Sequence, residues 1–493
     1  MLAENRIQIG KKVYIWLFLV TIAVAFSSTY NPLNFRRMHI DSSIYVTISQ
    51  GIIRGQLPYR DLIDQKGPFT FFLSVPGLFF GGFTGIWITE IILLFISVLF
   101  AYKTALFFGD RYKALLGTVF SFIVSLAFFY VNAGTEEYSL PFLMISFFIF
   151  TRYYFSPKHN VNFGELIILG ICFSCAVLIK LNMFPLWAGF CMVVFIEEIL
   201  KRRFSLLGKY ICAFCLGIII VFVPVFLYLK LNGIFDAFLK QVILAGAARG
   251  FAGRGLKETV KNFYMVINRN YSFFPLFTGI FLIITKFRQT NFNFYVGYTF
   301  SYFLMVLFLS FSIGDSHYNM VLVPFFIPAF VFFIDIISSA FPVIKAKNAI
   351  LVMFLCLVFS EELVNYLYDF SKIVIDNSGV QLVKAGKMID ENTKPTDKII
   401  SLGANGYIYP FTQRDIASKY YYQGSSLEYV HGAKEEFISD ITLNKPAIIA
   451  IFNAEDGIGQ IMNDWHSPIL RMIDNEYRLL SDENGFRLFI RND

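Results

Sequence analysis

The chain has 493 residues, of which 56% are hydrophobic, 18% aromatic and 16% charged, with a formal net charge of +7 and a mean hydropathy of +0.59. A soluble protein with that balance would expose apolar patches and aggregate, so the composition excludes an ordinary soluble domain. Nor is the basic excess a nucleic-acid footprint, because Lys and Arg sit in short segments between apolar runs, where they set membrane topology.

The first apolar run, 13–30, follows Arg6, Lys11 and Lys12. Ala23-Val24-Ala25 offers a signal-peptide cleavage pattern, but the run is long enough to span and reads as an uncleaved signal anchor. Further runs at 84–108, 113–130, 138–155, 163–181, 185–200, 210–230, 272–287, 294–312, 319–340 and 348–366 give about eleven spans of bilayer length. With a cytoplasmic N-terminus, the inner loops carry Arg111 and Lys113, Arg152 and Lys158, then Lys201, Arg202, Arg203 and Lys209, and finally Lys286, Arg288, Lys345 and Lys347. Every inner loop is basic, as topology requires, and the odd span count puts the C-terminus outside. The 69–82 run is too short to cross and contains Pro76, Gly77, Gly81 and Gly82, so it reads as a re-entrant or juxtamembrane helix closing a first outer loop at about 31–83. Beyond about residue 367 the apolar runs shorten. Segments at 398–402 and 446–452 read as strands, and 477–480 with 486–490 as a closing pair across an Asn-Gly turn. The expected organisation is a transmembrane domain over 1–366 and a small extracytoplasmic α/β domain over 367–493. Gly403-Ala404-Asn405-Gly406 lacks the full glycine fingerprint of a nucleotide site and reads as a turn.

Cys172, Cys175, Cys191, Cys212, Cys215 and Cys356 all lie in apolar runs, so no disulfide framework is implied. The two Cys-x-x-Cys pairs have redox or metal spacing, yet no His or further Cys completes a ligand set, and they read as small residues on helix faces. With five His and no paired ligand spacing, no cofactor and no dedicated metal cage are expected. A divalent ion held loosely by carboxylates and phosphate stays open.

The outer loops carry the residues suited to chemistry. Arg54, Arg60, Lys66, Arg249 and Arg254 run against the charge rule there, and a negative partner at the outer leaflet is the natural reason. The 39–68 segment packs acids and bases beside the bilayer, where they are costly unless functional, and reads as the catalytic loop of a membrane enzyme handling a lipid phosphate. Asp41, with Ser42 and Ser43 after it, either caps the helix beginning there or accepts a proton from a hydroxyl. Lys66 either reaches a phosphate oxygen or pairs with Asp64. Arg54, Arg60, Arg249 and Arg254 offer the fork that matches phosphate, the last two from a glycine-rich segment. Glu136 and Glu137 either assist the base or favour a helix N-terminus by charge. His317, beside Tyr318 at the mouth of a span, is a phosphate or acceptor contact or a structural histidine.

These pieces, in this order, resemble the type C (GT-C) membrane glycosyltransferases, and within them the protein O-mannosyltransferase-like and aminoarabinose-transferase-like branch of bacteria. The match lies in an acid just after the first span (Asp41), Leu57-Pro58-Tyr59-Arg60-Asp61 leading to Lys66-Gly67-Pro68, an acid at a later span mouth (Glu137, or Glu136), and His317-Tyr318 with Pro324. Lys-Gly-Pro departs from the Lys-Pro-Pro of many relatives, which loosens the turn without removing Lys66. The resemblance implies a polytopic α-helical GT-C-like fold in the bacterial plasma membrane and a polyprenyl-phosphate-linked sugar donor. It further implies a cell-envelope acceptor (glycan, teichoic-type polymer, lipid or protein) and inversion, with Asp41 as general base and Glu137 beside it. Lys66, Arg60, Arg54, Arg249, Arg254 and His317 would bind the donor phosphate, while Asp61, Asp64, Glu136, Tyr59 and Tyr318 would support the acceptor. The alternatives are a flippase or transporter of lipid-linked glycan, or an envelope polysaccharide polymerase or ligase. A transporter would favour polar residues deep in spans and internal repeats. Glu90, Lys103, Lys180 and Asp335 all read as lying near span ends, and no repeat is evident.

Overall fold

The structure is a computed structural model that describes residues 10–33, 38, 40–126, 134–156, 161–246, 256–287, 291–311, 316–340, 364, 378–403, 406–423, 427, 432–452, 466–483 and 486–492. The chain divides into two compact units, one of Met1–Ser28, Trp87–Tyr228 and Ala248–Lys372, the other of Thr29–Ile86, Leu229–Ala247 and Ile373–Asp493. The C-terminal region expected from residue 367 is therefore part of a larger body that takes in the first outer loop and the 229–247 segment.

Each expected span up to 319–340 contains a helix, and 348–366 falls outside the described residues apart from Val364. Among the described residues, Val75–Ala105, Phe204–Leu231, Phe292–Ser310 and His317–Ser339 are long and apolar enough to cross a bilayer, which places the chain in a membrane. Phe163–Ile179 and Phe273–Thr285 are apolar but shorter. Within Val75–Ala105 the juxtamembrane run and the second span are separate helices, as expected, divided at Gly82, whose φ of 57 is one that Gly adopts without steric cost. Glu90, expected near a span end, lies about two turns beyond that break, fully buried, accepting a hydrogen bond from Ser28 Oγ at 2.5 Å.

The helical unit is held by aromatic packing and close helix approach. Phe147 of Thr135–Phe155 meets Phe190 at 5.9 Å and Phe325 at 5.6 Å between ring centroids, both edge-on. Each such pair adds about 0.5–1.5 kcal/mol beyond its buried area. Helices Phe163–Ile179 and Phe204–Leu231 cross where a Cβ on Gly170 would fall 2.1 Å from Phe214 O. Lipid tails supply no hydrophobic drive between helices, so such small-residue contacts carry the association. The Phe163–Ile179 helix begins at a capping box, with Asn162 and Glu165 bonding each other's backbone N–H.

In the second unit, a five-stranded sheet runs β2-β1-β3-β5-β4, from β1 (Lys398–Leu402), β2 (Asp415–Ile416), β3 (Ile448–Phe452), β4 (Tyr477–Glu483) and β5 (Phe486–Arg491). β1 pairs in parallel with β2 and β3, while β5 pairs antiparallel with β3 and β4. β1 and β3 are the apolar runs predicted at 398–402 and 446–452, and β4 and β5 are the expected closing pair. The Ala433–Asn444 helix supplies the connection that a parallel pair needs. The turn expected at 403–406 is described only at its ends.

Candidate active site

Asp41 and the Arg54–Pro68 loop belong to the unit that contains the sheet. The Ile40–Ile53 helix is buried from Ser42 to Ser49, and Asp41 lies within its first turn rather than at the cap of a helix beginning at Ser42, because Ile40 is already helical. Negative charge there is favoured by the helix dipole. Tyr45, one turn on, presents its hydroxyl to Asp41 Oδ2 at 3.4 Å.

The loop is folded around Tyr59. This residue takes φ 69 while 2% exposed, a conformation that costs an aromatic side chain about 1–3 kcal/mol and persists only where its surroundings impose it. Here they do. Tyr59 N donates to Leu62 O at 2.9 Å, Tyr59 Oη to Lys66 O at 2.8 Å, and Gln241 Nε2 to Tyr59 O at 2.6 Å. The ring packs edge-on against Phe238 at 5.6 Å and tilted against Phe71 at 6.2 Å. Tyr59 is thus the clasp that sets the Lys66 turn.

Within that loop Asp64 Oδ1 accepts from Lys66 N at 2.6 Å, and Asp64 N donates to Gln241 Oε1 at 3.2 Å. Burial pushes the Asp64 carboxyl up to about 6. The Lys66 ammonium and the backbone N–H groups of Lys66 and Gln65 pull it down, while the charge of Asp41 pushes it up. Asp41, Asp64 and Lys66 therefore form one electrostatic cluster. The two arginines of this region are engaged elsewhere. Arg60 Nε and Nη2 each donate to Asp61 at 2.8 Å, which holds the Asp61 carboxyl below its usual range. Asp61 Oδ2 also accepts from Leu57 N at 2.8 Å. Arg54 lies 3.6 Å from Asp415.

The C-terminal segment bonds to residues that flank this cluster. Gln50 Nε2 donates to Pro410 O at 3.0 Å, Ile63 N to Lys419 O at 3.2 Å, and Gln56 Nε2 to Asp415 Oδ1 at 3.3 Å. Gly406 packs against Ser43, so that an added Cβ would meet its Oγ at 3.5 Å. Pro410, Asp415 and Lys419 all lie in the stretch that follows β1.

In the helical unit a second cluster forms. Glu136 and Glu137 occupy the first turn of Thr135–Phe155 and are 4% and 3% exposed. Lys180, at the end of Phe163–Ile179, donates to Glu136 Oε1 at 2.5 Å and lies 3.7 Å from the centroid of the Tyr318 ring. Thr135 Oγ1 donates to Glu136 Oε2 at 2.8 Å. The His317 and Tyr318 rings meet edge-on at 4.4 Å. Glu136 and the adjacent pair His317 and Tyr318, expected from two loops, are thus joined through Lys180. Among the described residues no group of three or more His, Cys, Asp or Glu is placed to hold a metal ion. Arg249 and Arg254 lie outside the described residues.

Lys180, Gln241 and the 406–421 stretch were not singled out as site residues from sequence. Lys180 carried a signal, being a cation at a span end. Gln241 carried none.

The chain shares its fold with a protein of known structure. Aligned with the crystal structure of ArnT from Cupriavidus metallidurans bound to undecaprenyl phosphate, it gives a TM-score of 0.65 at 12% identity, over 97% of this chain and 98% of that one. The apo state of the same enzyme gives 0.60 at 12% identity with the same coverage. No protein-family model and no curated protein sequence matches the chain.

Proposed function

We propose that this protein transfers a sugar from a polyprenyl-phosphate-linked donor to a hydroxyl of a cell-envelope acceptor at the outer face of the membrane, with inversion. The carrying observation is Asp41 in the first turn of a buried helix, set with Asp64 and Lys66 of a loop clamped at Tyr59, in a fold shared end to end with ArnT crystallised with undecaprenyl phosphate. Asp41 takes the proton of the acceptor hydroxyl as its oxygen attacks the anomeric carbon. The bond from that carbon to the donor phosphate breaks, and the lipid phosphate departs with the electron pair. Lys66 offsets the charge that develops on it. Arg54 and Arg60, with Arg249 and Arg254, are the further phosphate partners of this reading, and the first two would have to exchange Asp415 and Asp61 for the donor. Glu137, Glu136, His317 and Tyr318 serve acceptor and phosphate from their own cluster. In this reading the N-terminus is cytoplasmic, about eleven helices cross the membrane, and the C-terminal domain is extracytoplasmic.

The test is radiolabelled polyprenyl-phosphate monosaccharide incubated with membranes that contain the protein. Transfer of one sugar to an acceptor is expected, and Asp41→Asn should reduce it at least about a thousandfold, in the range for loss of a catalytic base, with the elution profile of the purified protein unchanged. Full activity in Asp41→Asn removes it from the base role. EDTA should leave transfer intact; loss that a divalent ion restores would place a metal among the carboxylates. Glu90, a fully buried helical carboxyl, is the observation that favours a transporter, and translocation of label without transfer would establish that reading instead.

A further inference from the structure

The stretch after β2 brings one more group to the loop. Ile63, the neighbour of Asp64, donates its N–H to Lys419 O at 3.2 Å, and Tyr421 follows two residues on. Tyr421 is completely buried. Its position is held from behind: Tyr409 Oη donates to Tyr421 O at 3.2 Å and accepts from Ser401 N at 2.7 Å, and the two rings meet edge-on at 5.8 Å. The Tyr421 hydroxyl itself makes no hydrogen bond among the described residues. A buried phenol with nothing to bond is rare and calls for a reason.

We infer that Tyr421 is a positioning residue of the Asp64 site, its phenol O–H closing onto the Asp64 carboxylate when that group ionises. Burial, and after it the negative charge of Asp64, holds the Tyr421 phenol well above its usual range, so the hydroxyl keeps its proton and remains a donor. Asp64 is faced by Lys66 on its own loop, by Asp41 from the Ile40–Ile53 helix, by Gln241 from the 229–247 segment and by Tyr421 from the C-terminal domain. Of these, Lys66 already favours the carboxylate by charge, Asp41 opposes it, and Gln241 bonds the backbone. Tyr421 is the neutral donor of the group. The C-terminal domain would thereby set the pH at which the site carries its second negative charge.

This rests on reading the loop as a catalytic site, but its test needs no turnover. The infrared C=O band of protonated Asp64, assigned by its loss in Asp64→Asn, is titrated in the full-length protein in lipid nanodiscs. Removing a hydrogen bond to the charged form disfavours that form. Tyr421→Phe should therefore raise the midpoint by roughly one unit, the scale of one hydrogen bond to an ionised group. Tyr409→Phe, which removes bonds only to backbone, should lower the melting temperature and leave the midpoint within a few tenths of a unit. An unmoved midpoint in folded Tyr421→Phe, or an equal shift in Tyr409→Phe, overturns the inference. A wild-type protein that titrates as described but transfers no sugar overturns the proposed function and leaves the inference standing.

Discussion

Asp64 shows how a single carboxyl records its surroundings. Burial raises it to about 6 from an ordinary 3.8, so the folded protein binds a proton that the unfolded chain has already released. Between those two values stability falls as pH rises, and above about 6 the loss is complete. The shift corresponds to a cost on the order of 3 kcal/mol at most, at neutral pH. Asp64→Asn is accordingly expected to melt higher than wild type at pH 8 and to converge with it near pH 4. A difference that grew on acidification would refute the assignment of burial as the cause. Lys66 acts in the opposite sense. Lys66→Met removes the ammonium that favours the Asp64 carboxylate, so the Asp64 midpoint should rise, and transfer should fall by about two orders of magnitude if Lys66 stabilises the departing phosphate.

At the level of elements, the helices owe their positions to small residues and rings. A Cβ on Gly170 would lie 2.1 Å from a backbone oxygen of the facing helix and 3.0 Å from Gly217 Cα. Backbone cannot swing aside as a side chain does, so Gly170→Val should force Phe163–Ile179 and Phe204–Leu231 apart and cost about 1–3 kcal/mol, read as a lower melting temperature in detergent. Ile168, exposed on the first of these helices, should tolerate the same residue. The Arg54–Pro68 loop is the counterpart on the sheet side. Its strained Tyr59 is held by Gln241 and Lys66 O, so Gln241→Ala should release the loop and lower transfer while leaving Asp41 in its helix.

For the molecule as a whole, the first outer loop and the C-terminal region fall in one compact unit. Truncation after residue 377 would remove Pro410, Asp415, Lys419 and Tyr421, and with them the bonds to Gln50, Gln56 and Ile63. Such a protein should insert in the membrane and lose transfer, even though Asp41 and Lys66 remain in the chain. Retained activity would show that the loop holds its shape unaided.

Much of this was legible in the primary structure because it depends on local pattern. Apolar runs of bilayer length announce helices, since backbone in lipid must bond within itself. The runs at 398–402 and 446–452 announce strands by the same logic of burial, and the 39–68 segment stands out because charges beside a bilayer need a purpose. What the linear order could not supply is proximity across distance. Gln50 and Pro410 are 360 positions apart, Tyr59 and Gln241 are 182, and Glu136 and Lys180 are 44. Such pairs leave no periodicity to read. The burial that lifts Asp64, the strain imposed on Tyr59 and the unbonded hydroxyl of Tyr421 exist only once distant segments exclude water together, and that exclusion is a property of the folded chain.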